Sequence, residues 1–135
     1  DGVNNFPTVG VIDRNSRVTL EEAGAGFYKE VETVGMACNM DLFTIVYVFN
    51  PTEATQMAEV GAYAIIAHIG TTTGGTIGAK TAPDLQDAAK QVQEICDAAF
   101  SLNADVICMS HGGPLSGLSA RQVLSDSRAN QASPK

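Results

Sequence analysis

The chain has 135 residues, of which 44% are hydrophobic and 17% are charged, and its formal net charge is -7. This composition is too apolar for a disordered chain, and one domain of this length buries roughly two thirds of the surface that its unfolded form exposes. The acidic balance repels phosphate backbones and anionic lipid surfaces, so neither nucleic acid nor a membrane is expected as a partner.

Targeting signals and cysteine usage predict a cytoplasmic protein. The longest apolar stretch, residues 42–49, is far shorter than the roughly 18 residues that span a bilayer. The first residues lack the basic and apolar regions of a signal peptide. Cys38, Cys96 and Cys108 lie in apolar segments without CxxC spacing, and this pattern predicts buried, reduced thiols.

Periodicity and punctuation predict alternating strands and helices in chain order. A weak strand at 3–6 ends at Pro7, and an ordered loop at 20–26 precedes a helix that runs to about residue 39. Thr19 and Glu22 have capping-box spacing, but Gly24 and Gly26 each cost about 1 kcal/mol in a helix interior. Further strands are predicted at 42–48, 63–69 and 105–110, and further helices at 51–60 and 83–102. The helix at 51–60 is expected to begin with an N-cap at Asn50, a first-position Pro51 and a reciprocal capping Glu53.

The apolar character of these strands predicts a parallel sheet. The runs are rich in Val and Ile and do not alternate with polar residues, as in strands that are covered on both faces. Two architectures fit the alternation, an open doubly wound sheet and a segment of a closed (β/α)8 barrel. Both place function at the carboxyl ends of the strands.

Each of the two histidines ends one of these predicted strands. His68 follows an apolar run that begins at Ala64, and His111 follows one that begins at Val106. If the strands are neighbours, the two imidazoles share one site, since adjacent strands lie about 4.8 Å apart. A near-neutral pKa suits this pair to acid/base catalysis or to metal ligation.

Glycine-rich loops follow both histidines. Residues 70–78 contain only Gly, Thr and Ile, and Gly112 and Gly113 follow His111 directly. Backbone N–H groups and Thr hydroxyls of such loops can hold an anion, although neither loop has the Walker or GxGxxG pattern. Of the carboxylates, Asp13 and Glu22 lie where a loop after the first strand would contribute to a site.

Several motifs resemble the phosphoenolpyruvate hydrolase-like TIM-barrel family, which also forms the C-terminal domain of plant tobamovirus-resistance proteins and their microbial relatives. The resemblance extends to about Leu124 and rests on Asn5-Phe6-Pro7-Thr8-Val9-Gly10, Leu20-Glu21-Glu22, Tyr47-Val48-Phe49, the run from His68 through Thr72-Thr73-Gly74-Gly75 to Ile77-Gly78-Ala79, and His111-Gly112-Gly113-Pro114.

The resemblance implies an α/β fold in which residues 1–125 form about strands four to seven of a (β/α)8 barrel, followed by a polar tail at 126–135. In the related phosphoenolpyruvate mutase and isocitrate lyase superfamily, earlier strands supply metal and substrate ligands. The residues carried over are His68, His111 and Glu22 as catalytic groups, and Asn5, Thr72, Thr73, Gly74, Gly75, Gly112 and Gly113 as substrate-binding groups.

The implied activity is that of a hydrolase or lyase for a small phosphorylated or carboxylated keto acid, such as phosphoenolpyruvate or phosphonopyruvate. A small anionic substrate and a divalent metal such as Mg²⁺ belong to this expectation. The alternative is a non-catalytic binding domain, because the family includes proteins that inhibit a partner. Unpaired edge strands and a half-covered inner sheet face also predict a homo-oligomer.

Overall fold

The structure is a computed structural model that describes residues 1–11, 14–70 and 84–116. These residues form four strands and four α-helices, with two helices between the first and second strands and one helix between each later pair, and two short 3-10 helices lie at Val9–Val11 and Gly113–Ser116. In chain order the elements are β1 (Gly2–Val3), α1 (Arg14–Glu22), α2 (Phe27–Asn39), β2 (Phe43–Val48), α3 (Pro51–Glu59), β3 (Ala64–His68), α4 (Leu85–Leu102) and β4 (Ile107–His111).

The four strands form one parallel sheet in the order β1-β2-β3-β4. Each strand pairs with the next one in the chain, with Ile45 opposite Ala64 and Ile65 opposite Cys108. Parallel neighbours need a crossover connection, and the helices supply it. The prediction of parallel β/α units that form part of a (β/α)8 barrel is therefore confirmed. Within the described ranges, no helix has the length and apolarity needed to cross a bilayer.

The predicted cap of α3 is present in a shifted form. The side chain of Asn50 accepts a hydrogen bond from the backbone N–H of Glu53 at 2.9 Å, and Pro51 occupies the first turn. The carboxylate of Glu53 accepts instead from the N–H of Phe49, one residue before the expected partner. For α4, the side chain of Asp84 provides the N-cap.

The segment before α2 contains a helix that the sequence did not predict. A loop was expected from residue 20, but Arg14–Glu22 is helical and the chain turns only at Gly24, where φ is +75°. Despite its capping-box spacing, Thr19 lies inside α1, where its hydroxyl donates to the carbonyl of Asn15. The prediction was wrong because the glycines weaken a helix only after residue 23, and the turn separates two helices.

The two faces of the sheet differ in their cover. Val46, Val48, Ile65 and Ala67 point towards the helices and are buried in the core cluster. The residues between them point to the opposite face, here called the inner face, where large apolar side chains are exposed. Those on β2 and β4 with the greatest exposure are Phe43, Ile107 and Met109.

Two of the three cysteines form a disulfide, contrary to the expected reduced thiols. Cys96 on α4 is bonded to Cys108 on β4, with their Cα atoms 5.9 Å apart. Each cysteine fits the apolar pattern of its own segment, so the sequence pattern does not reveal the pairing. The packing of α4 on β4 brings the two sulfur atoms together. Cys38 is free and half-buried.

Candidate functional site

The two histidines lie side by side at the carboxyl edge of the sheet. His68 and His111 are the final residues of β3 and β4 and are paired directly in register. Their ring centroids are 5.3 Å apart, with 42° between the ring planes. Side chains alternate along a strand, so both rings share the inner face with Ile66 and Met109. This separation lets one small ligand contact both imidazoles.

Three further rings surround the pair. Tyr47 lies with its ring centroid 5.9 Å from His68 and 5.9 Å from His111, and Phe49 lies 4.8 Å from His68. The ring of Phe6 contacts Tyr47, with the centroids 5.1 Å apart. We call these five rings the aromatic cluster. Three of these rings, Tyr47, Phe49 and His111, contact His68 and restrict its orientation.

His68 is held as a neutral imidazole. Its Nδ1 accepts a hydrogen bond from the backbone N–H of Gly70 at 3.1 Å, which places the ring proton on Nε2. Burial lowers the pKa of His68, and the neighbouring His111 lowers it further. Within the described part of the chain, Nε2 has no hydrogen-bond partner. The His68 Nε2–H is therefore available to a ligand.

Glycine is required after β4 because two backbone segments cross closely there. At Gly112 φ is +83°, and a Cβ atom would lie 2.2 Å from the carbonyl oxygen of Gly70 and 3.3 Å from Cε1 of His68. Gly113 has φ of +57° and donates its N–H to the same carbonyl at 3.2 Å. These glycines bring the ends of β3 and β4 together around the histidines. Their predicted role in anion binding stays a prediction.

Asn5 lies at the same edge of the sheet, but its amide is engaged by the protein. Its Oδ1 accepts from the backbone N–H of Tyr47 at 2.7 Å, and its Nδ2 donates to the carbonyl of Tyr47 at 3.0 Å and to Glu30 at 2.6 Å. The side chain thus continues the pairing of β1 with β2. Asn5 contacts the aromatic cluster through the Tyr47 backbone, and its predicted substrate contact is untested.

Glu30 was not selected from the sequence, yet it organises the loop after β1. Its carboxylate accepts from Asn5, from the Thr8 hydroxyl at 3.0 Å and from the Val9 N–H at 2.8 Å. In the sequence, Glu30 is only one of several charged residues near the start of α2, directly after Lys29 and two residues before Glu32. Without the loop above α2 there is no signal that distinguishes Glu30 from these surface charges.

The other predicted residues do not join the histidines in the described structure. Glu22 is exposed at the end of α1, and no hydrogen bond, ion pair or ring contact joins it to His68 or His111 in the described ranges. Thr72, Thr73, Gly74 and Gly75 lie outside the described residues. Within those residues no group of three His, Cys, Asp or Glu side chains has a geometry that would hold a metal ion.

Comparisons with a family model and with individual proteins show what this chain is similar to. The model of the phosphoenolpyruvate hydrolase-like family matches residues 1–131. Two Solanum lycopersicum proteins are similar to this chain over 115 residues. ToMV susceptible protein tm-1(GCR26) is 52% identical to it, and ToMV resistance protein Tm-1(GCR237) is 51% identical. The y4pA protein of Sinorhizobium fredii (strain NBRC 101917 / NGR234) is 34% identical over 111 residues.

These matches cover 85% of this chain for each tomato protein and 82% for y4pA. The chain spans only 15% of the length of each tomato protein and 18% of y4pA. A family match over nearly the whole chain and a relative above half identity agree with the parallel β/α fold. The chain belongs to the phosphoenolpyruvate hydrolase-like family.

Proposed function

We propose that this chain contributes the His68 and His111 part of the active site of a hydrolase or lyase that acts on a small phosphorylated or carboxylated keto acid. One observation carries the proposal. Two imidazoles lie 5.3 Å apart at the carboxyl ends of neighbouring parallel strands, and one of them is neutral with an uncommitted N–H. Active sites of (β/α)8 barrels lie at this end of the strands.

The chemistry of phosphoenolpyruvate and phosphonopyruvate suits such a donor. Hydrolysis of phosphoenolpyruvate at phosphorus releases the enolate of pyruvate, and cleavage of the P–C bond of phosphonopyruvate leaves the same enolate. In both reactions negative charge collects on the C2 oxygen. A fixed N–H aimed at that oxygen stabilises the charge without reorganisation, and the Nε2–H of His68 is the donor that the proposal assigns to it.

His111 has the complementary role in this proposal. His111 is exposed, whereas His68 is only 7% exposed, so water and substrate reach the His111 ring more easily. The enolate needs a proton to become pyruvate, and the proposal assigns its delivery to His111. A positioned general acid contributes about 10²- to 10⁴-fold to a rate.

A divalent metal such as Mg²⁺ remains part of the proposal only through the family. Mg²⁺ prefers oxygen ligands in octahedral geometry, whereas this edge of the sheet offers two imidazole nitrogens. The described residues therefore do not fit a Mg²⁺ site by themselves, and no step of the proposed chemistry passes through the metal.

The test compares His68→Gln and His111→Gln with the unchanged intact protein. Release of phosphate and pyruvate is measured with phosphoenolpyruvate and phosphonopyruvate as substrates. We expect each variant to lower kcat by about 10²- to 10⁴-fold while the circular dichroism spectrum is unchanged. Tyr63→Phe is the matched control, because Tyr63 precedes β3 at the opposite end of the strand. Full activity in folded His68→Gln would refute the proposal.

A second candidate is a non-catalytic interaction domain. It is favoured by the names of the two tomato relatives, a resistance and a susceptible protein for ToMV, and by the exposed inner face. In this case the double variant His68→Gln/His111→Gln would keep the binding of its partner, whereas Ile107→Lys on the inner face would lose it. The enzyme proposal predicts a loss of turnover in the double variant.

The inner face also supports the proposal of self-association. Ile107 is 53% exposed and Phe43 is 46% exposed, and such apolar side chains seek cover from water. We expect the polypeptide of residues 1–135 to sediment as a dimer or larger species. A stable 14.1 kDa monomer would contradict this expectation.

A further inference from the structure

We propose that Glu53, a buried carboxylate outside the histidine pair, is a positioning residue that holds Phe49 against His68. This inference deepens the proposed function, since it names a residue that keeps the proposed donor in place. It rests on a connected set of contacts that leads from the helices to the inner face.

The first step is the carboxyl end of β2, where the strand pairing stops. The pairing between β2 and β3 ends at Val48 and Ala67, so the backbone of Phe49 is not held by the sheet ladder. The ring of Phe49 nevertheless packs on His68, with centroids 4.8 Å apart and 31° between the ring planes. Other parts of the molecule must therefore fix Phe49.

Three elements hold Phe49 in this place. The carboxylate of Glu53 accepts a hydrogen bond from the N–H of Phe49 at 2.8 Å, and the side chain of Gln91 donates to the Phe49 carbonyl at 3.2 Å. Gly10 lies so close to the ring that a Cβ atom there would be 2.3 Å from Cδ2 of Phe49. Hydrogen bonds between side chains on α3 and α4 and the backbone of Phe49 thus set the position of its ring above the sheet.

Glu53 is chemically costly at this position, which indicates a specific role. Its side chain is only 2% exposed, and a buried carboxylate is unfavourable unless it is paired. Oε1 lies 2.6 Å from Nη1 of Arg17 on α1, an ion pair without the direction of a hydrogen bond. An apolar residue would fill the same volume without this cost, but it would leave the Phe49 N–H without a partner.

The consequence at His68 is a change of access to water. Phe49 covers one face of the imidazole, and burial is the main reason why the pKa of His68 is lowered. If Phe49 is released, water reaches the ring and the charged form becomes less unfavourable. The pKa of His68 then rises towards its ordinary value, and the Nε2–H loses its fixed direction.

The test is an NMR titration of the intact protein with ¹⁵N-labelled histidine, in which His68→Gln assigns the signal. Glu53→Ala removes both the acceptor and the charge, whereas Glu53→Gln keeps an acceptor for the Phe49 N–H. Gln56→Ala is the control, because Gln56 is exposed one turn further along α3 and lines the same cavity as Glu53 and Arg17. We expect the pKa of His68 to rise in Glu53→Ala, to rise less in Glu53→Gln and to stay unchanged in Gln56→Ala.

Phe49→Leu keeps the experiment decisive if Glu53→Ala does not fold. This variant leaves Glu53 intact and removes the ring, so it must raise the pKa of His68 in the same direction. In the double variant with Glu53→Gln, the second change must add little, because both act through one ring. An unchanged His68 pKa in folded Phe49→Leu, or equal and additive shifts in the two single variants, would overturn the inference.

Turnover separates this inference from the proposed function. With phosphoenolpyruvate we expect Glu53→Ala and Phe49→Leu to lower kcat by about tenfold and to move the acidic limb of the kcat profile to higher pH. Suppose that the Glu53 and Phe49 variants shift the pKa of His68 but that His68→Gln has unchanged turnover. This result would support the positioning role of Glu53 and refute the proposed function. If His68→Gln loses turnover but the Glu53 variants leave the pKa of His68 unchanged, the proposed function is supported and the positioning role is refuted.

Discussion

Two regions at the carboxyl edge of the sheet show how similar polar residues come to serve different purposes. Around Asn5, the amide and its neighbours are engaged in hydrogen bonds to Tyr47 and Glu30. Around His68, one ring nitrogen is used by Gly70 and the other has no partner in the described structure. Both residues were predicted as site residues from the sequence.

The difference teaches that hydrogen-bond capacity separates a structural polar residue from one that is free for a ligand. An amide whose donors and acceptor are engaged stabilises the fold, since losing a partner leaves a polar group without compensation. A fixed imidazole with an uncommitted N–H contributes little to the fold through that group. It is ready to bind whatever enters the inner face.

The largest expected loss of stability comes from a substitution in the first region, around Asn5. Glu30→Ala removes the acceptor of three hydrogen bonds, from Asn5, Thr8 and Val9. Bonds to a charged group are worth about 1.5 to 3 kcal/mol each, and water replaces part of them, so we expect a loss of about 2 to 4 kcal/mol in the free energy of unfolding. Urea denaturation measures the change.

Glu32→Ala is the matched control for Glu30 on the same helix. In the part of the chain that the structure describes, its carboxylate pairs with Lys29 in an exposed contact that water and salt screen, so we expect little change in the free energy of unfolding. Equal losses in the two variants would show that the loop after β1 does not depend on Glu30.

A smaller effect is expected where the two strand ends cross. Gly112→Ala places a Cβ atom against the Gly70 carbonyl in a left-handed backbone, and we expect a cost of about 2 to 3 kcal/mol. Gly70→Ala meets no atom of the described residues within 4 Å although φ is +89°, so we expect only backbone strain of about 1 to 2 kcal/mol. Thermal unfolding of both variants tests the order, and a larger loss in Gly70→Ala would contradict the crossing as described.

The smallest effect is the dependence of stability on pH in the second region. The pKa of His68 is lowered from 6.5 in the folded protein, so the unfolded chain binds more protons between the two values. The contribution of neutral His68 is fully present above about 6.5 and is lost as the pH falls towards the folded pKa. His68→Gln should therefore flatten the fall in urea midpoint between pH about 7.5 and about 5.5. An identical fall in both proteins would show that His68 is not held neutral.

Much of this architecture was determined by local sequence. The apolar runs that end in His68 and His111 predicted the strands. Because side chains alternate along a strand and the two histidines are paired in register, both rings lie on one face of the sheet. Asn50 and Pro51 predicted the start of α3 because a cap depends on residues within one turn. These features follow from neighbours in the chain, so the sequence alone determined them.

The tertiary structure decided which polar residues are free and which are engaged. In the sequence Glu30 looks like a helix surface charge and Glu53 like a reciprocal capping residue, but the first lies under the loop after β1 and the second is buried against Arg17. The bond between Cys96 and Cys108 likewise arises from the packing of α4 on β4. Such contacts join residues that are distant or differently oriented in the chain, and their energy depends on burial, which no local pattern of residues specifies.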